Sequence, residues 1–295
     1  MTVFKEFDEI VQADFPLGEM TTFGVGGTCE YLVRPRTEDE LRGVLKRCDA
    51  DGLEVRAIGR GSNILVRDEG VPGAVVQLDA KGFGEISITE DLLRAGAAVR
   101  LRDVVAEAAR EGLSGVECLV GVPGTVGGGV RMNAGGAYGD IGQSVERVKV
   151  MDARGEAFYR ERDDLAFGYR TSNVSARFVL EAELQLLPDD AAAIRKRMKT
   201  IWMAKKNSQP MSASTAGCAF KNPRGLAAGL LIDQAGLKGE SVGGAVVSHK
   251  HANYLIVKDK AGTTAADVLE LIERVRKAVK ERFDVYLELE IEVWP

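Results

Sequence analysis

The feature that most restricts this chain is a run of glycines. Eight of the nineteen residues in Gly121-Val-Pro-Gly-Thr-Val-Gly-Gly-Gly-Val-Arg-Met-Asn-Ala-Gly-Gly-Ala-Tyr-Gly139 are glycine. Each glycine loses more backbone freedom on folding than any other residue, so a plain structural turn has no need of so many. Val, Met, Tyr and Asn are interspersed, which is not the composition of a flexible linker. Pro123 and Thr125 suit the start of a helix, and a helix N-terminus favours phosphate. The 34 glycines of the 295-residue chain also cluster at 24–27, 59–61 and 236–244, with no short repeat to explain them. Such clusters mark places where backbone turns sharply or must approach a ligand.

A second glycine loop, Ile58-Gly-Arg-Gly-Ser-Asn-Ile-Leu-Val66, lies about sixty residues upstream. A dinucleotide fold of the Rossmann type wants G-x-G-x-x-G between a strand and a helix. Here the third glycine is missing and an apolar strand follows, so that fold is excluded. A tight strand–loop–strand turn still aims several N–H groups at one point, as a pyrophosphate needs. Taken alone, the loop reads equally as an ordinary β-turn.

Periodicity sets the class as α+β. Thr37 and Glu40 have capping-box spacing before Leu41, Val44, Leu45 and Cys48, which predicts a helix over 37–50. Further helices are expected at 101–111, from Pro188 to about 206, and from Thr264 to Phe283 with Val268, Leu271, Ile272, Val275 and Val279 on one face. Strands are expected at 145–151, 156–160, 177–187 and Tyr286–Val293. The chain divides on this reading into 1–80, 81–190 and 200–295.

Composition removes several functions. A net charge of −5 lacks the footprint of a nucleic-acid binder. No run of about 18 apolar residues predicts a membrane span, and MTVFKEFDEI has no signal-peptide pattern. Cys29, Cys48, Cys118 and Cys218 form no CxxC pair, and His249 and His251 are the only histidines. No metal site or disulfide framework is expected, and a cytoplasmic setting fits best.

The order of motifs is similar to a known family. GRGSNILV followed by GVPGTVGGGVRMNAGGAYGD resembles the two-part FAD-binding module of vanillyl-alcohol-oxidase type (PCMH-like) flavoproteins. FGYRTS (167–172), AGCAFKNP (216–223), DQAGLKG (233–239) and SHKHANYLIV (248–257) are spaced as in the UDP-N-acetylenolpyruvoylglucosamine reductases, and the match runs from about Thr21 to Glu290. The short stretch between Tyr169 and Lys206 resembles the shorter, type II, form. The resemblance implies residues 1–80 and 81–190 as two FAD-binding subdomains and 200–295 as an α+β substrate-binding domain. It implies noncovalent FAD, held by Arg60, Gly61, Ser62, Asn63, Gly121, Pro123, Gly124, Thr125, Gly127, Gly128, Asn133 and Ala134, and NADPH as hydride donor. The implied reaction reduces the enolpyruvyl ether of UDP-N-acetylglucosamine to UDP-N-acetylmuramate, a step of peptidoglycan precursor synthesis. Oligomeric state is left open.

In that reaction, charge develops on the enolpyruvyl carbon and its carboxylate and must be stabilised, and the carbon must then be protonated. The family positions are Arg170 for the charge, Glu290 acting with it, and Cys218 as acid. Without the motifs, Arg170 reads as a surface ion-pair residue, Glu288, Glu290 and Glu292 as one solvated strand face, and Cys218 as a small buried residue. Cys218 stands where serine is usual; a thiol ionises near pH 8.5 and is the stronger acid. Glu292 stands where the family has a basic residue, and Lys258 where it has asparagine. Tyr169, Lys206, Asn222, Lys238 and His251 match positions that bind the nucleotide sugar. A flavin oxidase and an inactive flavin-binding paralogue are the competing readings. The first is disfavoured because neither histidine lies in a glycine loop, where it would link the flavin covalently.

Overall fold

Two compact units emerge from the packing of this chain. The structure, a computed structural model, describes residues 3–295, so the first two residues of the N-terminal stretch lie outside it. The first unit holds the described residues up to Ala13, Tyr31–Gly59 and Gly73–Ala204; the second holds Asp14–Glu30, Arg60–Pro72 and Lys205–Pro295. The three expected parts are thus regrouped. Most of 1–80 joins 81–190, while 14–30 and 60–72 join the C-terminal part. The apolar side chains explain the transfer: Phe23, Val25 and Leu65 are buried in one cluster with residues 216–291.

In the first unit, helix Glu38–Ala50 starts as its sequence dictates. Thr37 caps it by accepting from the Glu40 amide at 3.1 Å. The reciprocal half of the box is absent, because the Glu40 carboxylate turns instead to the amide and guanidinium of Arg36. Leu41, Val44, Leu45 and Cys48 pack with Val33, Val55, Ala74 and Val76 of a sheet ordered Val11–Phe15, Cys29–Val33, Val71–Val76, Val55–Ala57. A second, five-stranded antiparallel sheet runs Ala157–Glu161, Val145–Met151, Phe178–Gln185, Leu92–Gly96, Ile86–Thr89. Helices Leu101–Arg110 and Val126–Arg131 contribute to the same core.

In the second unit, helix Ala265–Phe283 buries Val268, Leu271, Ile272, Val275 and Val279, the five residues of the expected stripe. Full burial of such side chains stabilises by about 1.5–3 kcal/mol each. They share a core with the sheet of Ser241–Val242, Ala245–Val247 and Leu255–Val257 and with helix Ala228–Gln234. Asp68 accepts from the amides of Ala265 and Ala266, both at 2.8 Å, alongside a complete Thr264–Asp267 capping box.

The chain's end departs from expectation. Tyr286–Val293 is not one strand: the regular part is Glu292–Trp294, parallel to Ile64–Val66. Residues 288–290 pair instead with 219–221, through Lys221 N–H to Glu288 O and Glu290 N–H to Ala219 O, both 2.8 Å. Changing partners forces a bend at Glu290–Ile291, so the three glutamates do not form one uniform face. Among the described residues no helix is long and apolar enough to cross a membrane, and no cluster of His, Cys, Asp and Glu could hold a metal ion.

Candidate active site

The two glycine loops meet inside the first unit. Strand Val55–Ala57 delivers Gly59 so close to Thr125 that a Cβ there would lie 2.7 Å from Thr125 Oγ1. Thr125 is the N-cap of Val126–Arg131, and its own side chain makes no cap bond. The glycines after it divide by task. A Cβ at Gly127 would lie 3.0 Å from that of Ala97, and one at Gly129 3.0 Å from Leu101, so these two let the helix sit on its own core. Gly128 is exposed, and a Cβ there would find nothing nearer than 3.9 Å. Gly124 takes φ +123, closed to L side chains. Pro123 is exposed, while Gly121 and Ala134 are half-buried. A bare backbone path bordered by a hydroxyl fits the diphosphate of FAD, which needs N–H donors and close approach rather than side chains.

Asn133 is buried, with φ +46. Its Oδ1 accepts from the Gly142 amide at 3.0 Å and its Nδ2 donates to Gly168 O at 2.9 Å. Gly168 belongs to the hairpin Phe167–Gly168/Thr171–Ser172, whose two tip residues are Tyr169 and Arg170. Arg170 takes φ +56, a conformation a non-glycine residue adopts at a cost of about 1–3 kcal/mol. Its guanidinium donates to Gly135 O at 3.0 Å and lies 5.3 Å from the exposed Tyr169 ring centre. Asn133, assigned to the cofactor from sequence, therefore holds the base of the hairpin that presents Arg170.

The second unit contains the rest of the 58–66 loop. Thr22 grips Gly61 O twice, through its amide at 3.1 Å and Oγ1 at 3.3 Å. Gly61 takes φ +61, and a Cβ on it would meet the Thr21 backbone at 2.8 Å. The 24–27 cluster flagged this region, but nothing in the sequence marked Thr22. Arg60 is exposed, and Ser62 and Asn63 are half-buried. Asn63 Nδ2 donates to Glu290 O at 3.0 Å, and Asn63 O accepts from the Glu292 amide at 2.8 Å.

Cys218 and Glu290 come together through their main chains. Glu290 N–H bonds to the carbonyl of Ala219, the residue after Cys218, and Cys218 itself bridges to Tyr254. Both side chains are half-buried, and Oε2 of Glu290 is screened from solvent. Glu288, by contrast, is exposed and 3.7 Å from Lys221, and Glu292 is exposed with its carboxylate accepting from the Trp294 indole at 3.3 Å. Behind this pairing lies Asn253, which sequence reasoning missed. It is 3% exposed, and its amide engages both the N–H of Phe220 at 3.0 Å and the O of Phe220 at 2.8 Å.

Apart from Tyr169, the candidate nucleotide-sugar residues fall into two groups. Lys238 donates to Asp233 at 2.6 Å, and its charge acts on His251. Burial first, then Lys238, pushes the His251 imidazole below its usual range. The ring lies over Gly229, where a Cβ would meet Cε1 at 3.1 Å, and edge-on to Tyr254 at 4.9 Å. The folded site thus favours the neutral ring; its Nδ1 accepts from the Asn253 amide at 3.3 Å, which leaves the Nε2 proton to donate. Asn222 caps Ala228–Gln234 by accepting from the Ala228 amide at 3.0 Å. Lys206 is exposed at the end of helix Ala191–Ser208, and its carbonyl accepts from Lys250. Its neighbour Lys205 is the buried lysine.

Family models match in two places. Residues 29–158 fit an FAD binding domain, and residues 209–294 the C-terminal domain of UDP-N-acetylenolpyruvoylglucosamine reductase. The reductase of that name from Moorella thermoacetica is 42% identical over 280 residues, 95% of this chain and 91% of the relative. The chain belongs to the UDP-N-acetylenolpyruvoylglucosamine reductase family. The reductase from Desulfosudis oleivorans is 39% identical over 99% of this chain and 96% of its own length. Among solved structures, the reductase from Thermus caldophilus superposes with a TM-score of 0.84 at 39% identity, covering 97% of this chain and 98% of that one. The reductase family thus spans both units, and its FAD-binding domain contains Gly59, Thr125 and Asn133.

Proposed function

We propose that this chain performs the reaction after which its family is named, the NADPH-dependent reduction of UDP-N-acetyl-enolpyruvylglucosamine to UDP-N-acetylmuramate, in the cytoplasm, as an FAD enzyme of peptidoglycan precursor synthesis. In this reading 1–80 and 81–190 hold FAD, through the glycine loops, and 200–295 receives the nucleotide sugar. Bound FAD supplies two-electron chemistry between NADPH and the enolpyruvyl double bond.

The chain's own residues supply charge and a proton. Hydride addition at the terminal vinyl carbon leaves negative charge on the adjacent carbon and its carboxylate. Arg170 answers that charge: a guanidinium is always protonated and forks onto a carboxylate. The Cys218 thiol gives its proton to the charged carbon, completing the lactyl ether, and recovers a proton from solvent before the next turnover. Glu290 acts with Arg170 in fixing the charge distribution as the proton moves. Tyr169, Lys206, Asn222, Lys238 and His251 take the UDP part of the substrate; the lysines offer point charges to the diphosphate, and neutral His251 a hydrogen bond.

The observation that carries this reading is the main-chain pairing that sets Glu290 beside Ala219, one residue from Cys218, while Glu288 and Glu292 are spent elsewhere. The test compares three isosteric variants. Glu290→Gln is expected to lower turnover by an amount typical of a lost transition-state partner, about 2.7–4 kcal/mol. Glu288→Gln and Glu292→Gln are expected to stay close to wild type. A crippled Glu288→Gln with a normal Glu290→Gln overturns the assignment.

A further inference from the structure

Asn63 lies in the loop that the family resemblance gives to FAD, yet its hydrogen bonds run toward Glu290. The chain changes partner at this point. Residues 288–290 are paired with 219–221, and residues 292–294 with 64–66. At such a change the regular ladder is interrupted, and main-chain groups there need other partners. Asn63 is the residue immediately before strand Ile64–Val66, and it supplies them on both sides of the bend. Its side-chain amide donates to Glu290 O at 3.0 Å, and its carbonyl accepts from Glu292 N–H at 2.8 Å. With Glu290 N–H bonded to Ala219 O, the main chain of Glu290 is held at both its N–H and its C=O.

Resting on the reading of Glu290 as the catalytic glutamate, we propose that Asn63 is a positioning residue that ties the cofactor loop to Glu290. The carboxylate hangs from a peptide whose plane Asn63 sets, so loss of the Nδ2 donor lets the bend relax. The same loop is gripped on its other side by Thr22, whose two bonds fix the Gly61 carbonyl. A trans peptide points its N–H opposite its C=O, so the grip also fixes the direction of the Ser62 amide. Loop and glutamate therefore share one rigid frame, and placement of the loop is felt at Glu290. Only an amide with its nitrogen at that position serves: alanine has no donor, and aspartate of nearly equal size presents oxygens to the Glu290 carbonyl.

The experiment is a double-mutant cycle on the FAD-loaded full chain. Asn63→Ala, Asn63→Asp, Glu290→Gln and the Asn63→Ala/Glu290→Gln double variant are each followed by anaerobic stopped-flow, reading flavin absorbance first with NADPH and then with the enolpyruvyl substrate. FAD affinity is measured separately by flavin-fluorescence titration of the apoproteins, with a thermal melt of each. A misplacement of about 1 Å in a catalytic group costs on the order of 10²-fold. Asn63→Ala and Asn63→Asp are therefore expected to slow substrate-driven reoxidation at saturating FAD by roughly that factor, a loss well beyond any change they cause in FAD affinity or in NADPH-driven reduction. In the Glu290→Gln background the Asn63→Ala change is expected to add almost nothing, because it acts only through the carboxylate already removed. Equal slowing in both backgrounds means general damage and overturns the proposal. Weakened FAD binding with normal reoxidation at saturating FAD makes Asn63 a cofactor contact and also overturns it. A fully active Glu290→Gln instead removes the reading of Glu290, and the positioning role falls with it.

Discussion

The clearest energetic consequence of the fold lies at Asp68. Its two carboxylate oxygens accept from the amides of Ala265 and Ala266 at 2.8 Å, satisfying donors that helix Ala265–Phe283 cannot bond internally. Thr264 and Asp267 already form a capping box, so Asp68 is a second cap from 197 residues away. Removing a capping side chain costs typically about 1 kcal/mol, and up to about 2. The negative charge at the helix N-terminus adds about 0.3–1 kcal/mol. Asp68 is exposed, so screening keeps each contribution at its low end. Asp68→Ala is expected to destabilise the second unit by about 1–1.5 kcal/mol, and Asp68→Asn, which keeps only one of the two acceptors, by a smaller amount. Urea unfolding followed by tryptophan fluorescence measures the total, and amide hydrogen exchange at Ala265 and Ala266 reads the cap directly. The aspartate-to-asparagine difference is expected to shrink in 1 M salt. Asp68→Ala with unchanged stability and unchanged exchange at both amides would show that the capping box alone holds the helix.

Three further outcomes are expected. Acid precipitation of the yellow holoprotein releases its flavin to the supernatant; flavin left in the pellet refutes a noncovalent cofactor. Cys218→Ala leaves NADPH-driven flavin reduction nearly intact and slows reoxidation by the enolpyruvyl substrate about 10²–10⁴-fold, the usual contribution of a general acid. Cys218→Ser restores much of that rate and carries it to higher pH, whereas unchanged reoxidation in Cys218→Ala makes the thiol a packing residue. Because burial and Lys238 lower the His251 pKa, the folded state favours the neutral ring. Its contribution to stability is complete above the unfolded histidine pKa, near 6.5, and is lost as pH falls through the lower folded value. Lys238→Met is expected to raise the His251 pKa in an NMR titration; an unchanged value refutes the electrostatic link.

What could be read from the sequence follows from what is local. The stripe Val268, Leu271, Ile272, Val275, Val279 and the Thr37 cap are set by residues three or four apart, and both appear in the structure. The second half of the 37–40 box fails because Arg36, one residue outside the pattern, offers Glu40 a charged partner. The tasks of the glycines were legible only in bulk. Gly127 and Gly129 serve packing and Gly59 serves close approach, a distinction that depends on Ala97, Leu101 and Thr125. Asn63, Asn133, Asn253 and Thr22 were invisible as supports, because their partners lie between 9 and 227 residues away. The end of the chain is hidden in the sequence for the same reason: alternation in YLELEIEV cannot reveal that the chain exchanges one neighbour for another at Glu290.

The pairing of Ile64–Val66 with Glu292–Trp294 also fixes an order of events during synthesis. A nascent chain makes the early segments of the second unit, 14–30 and 60–72, long before their core partners among residues 216–291 exist. Leu65, fully buried in the finished protein, must wait in solvent or in transient contacts while roughly two hundred further residues are added, about 10–40 s at ordinary elongation rates. The residues of the first unit end at Ala204, so its chain is complete earlier. A truncation before Glu292 would therefore remove more than the last few residues. It would leave the cofactor-loop strand with an open edge, the kind of surface on which chains associate wrongly.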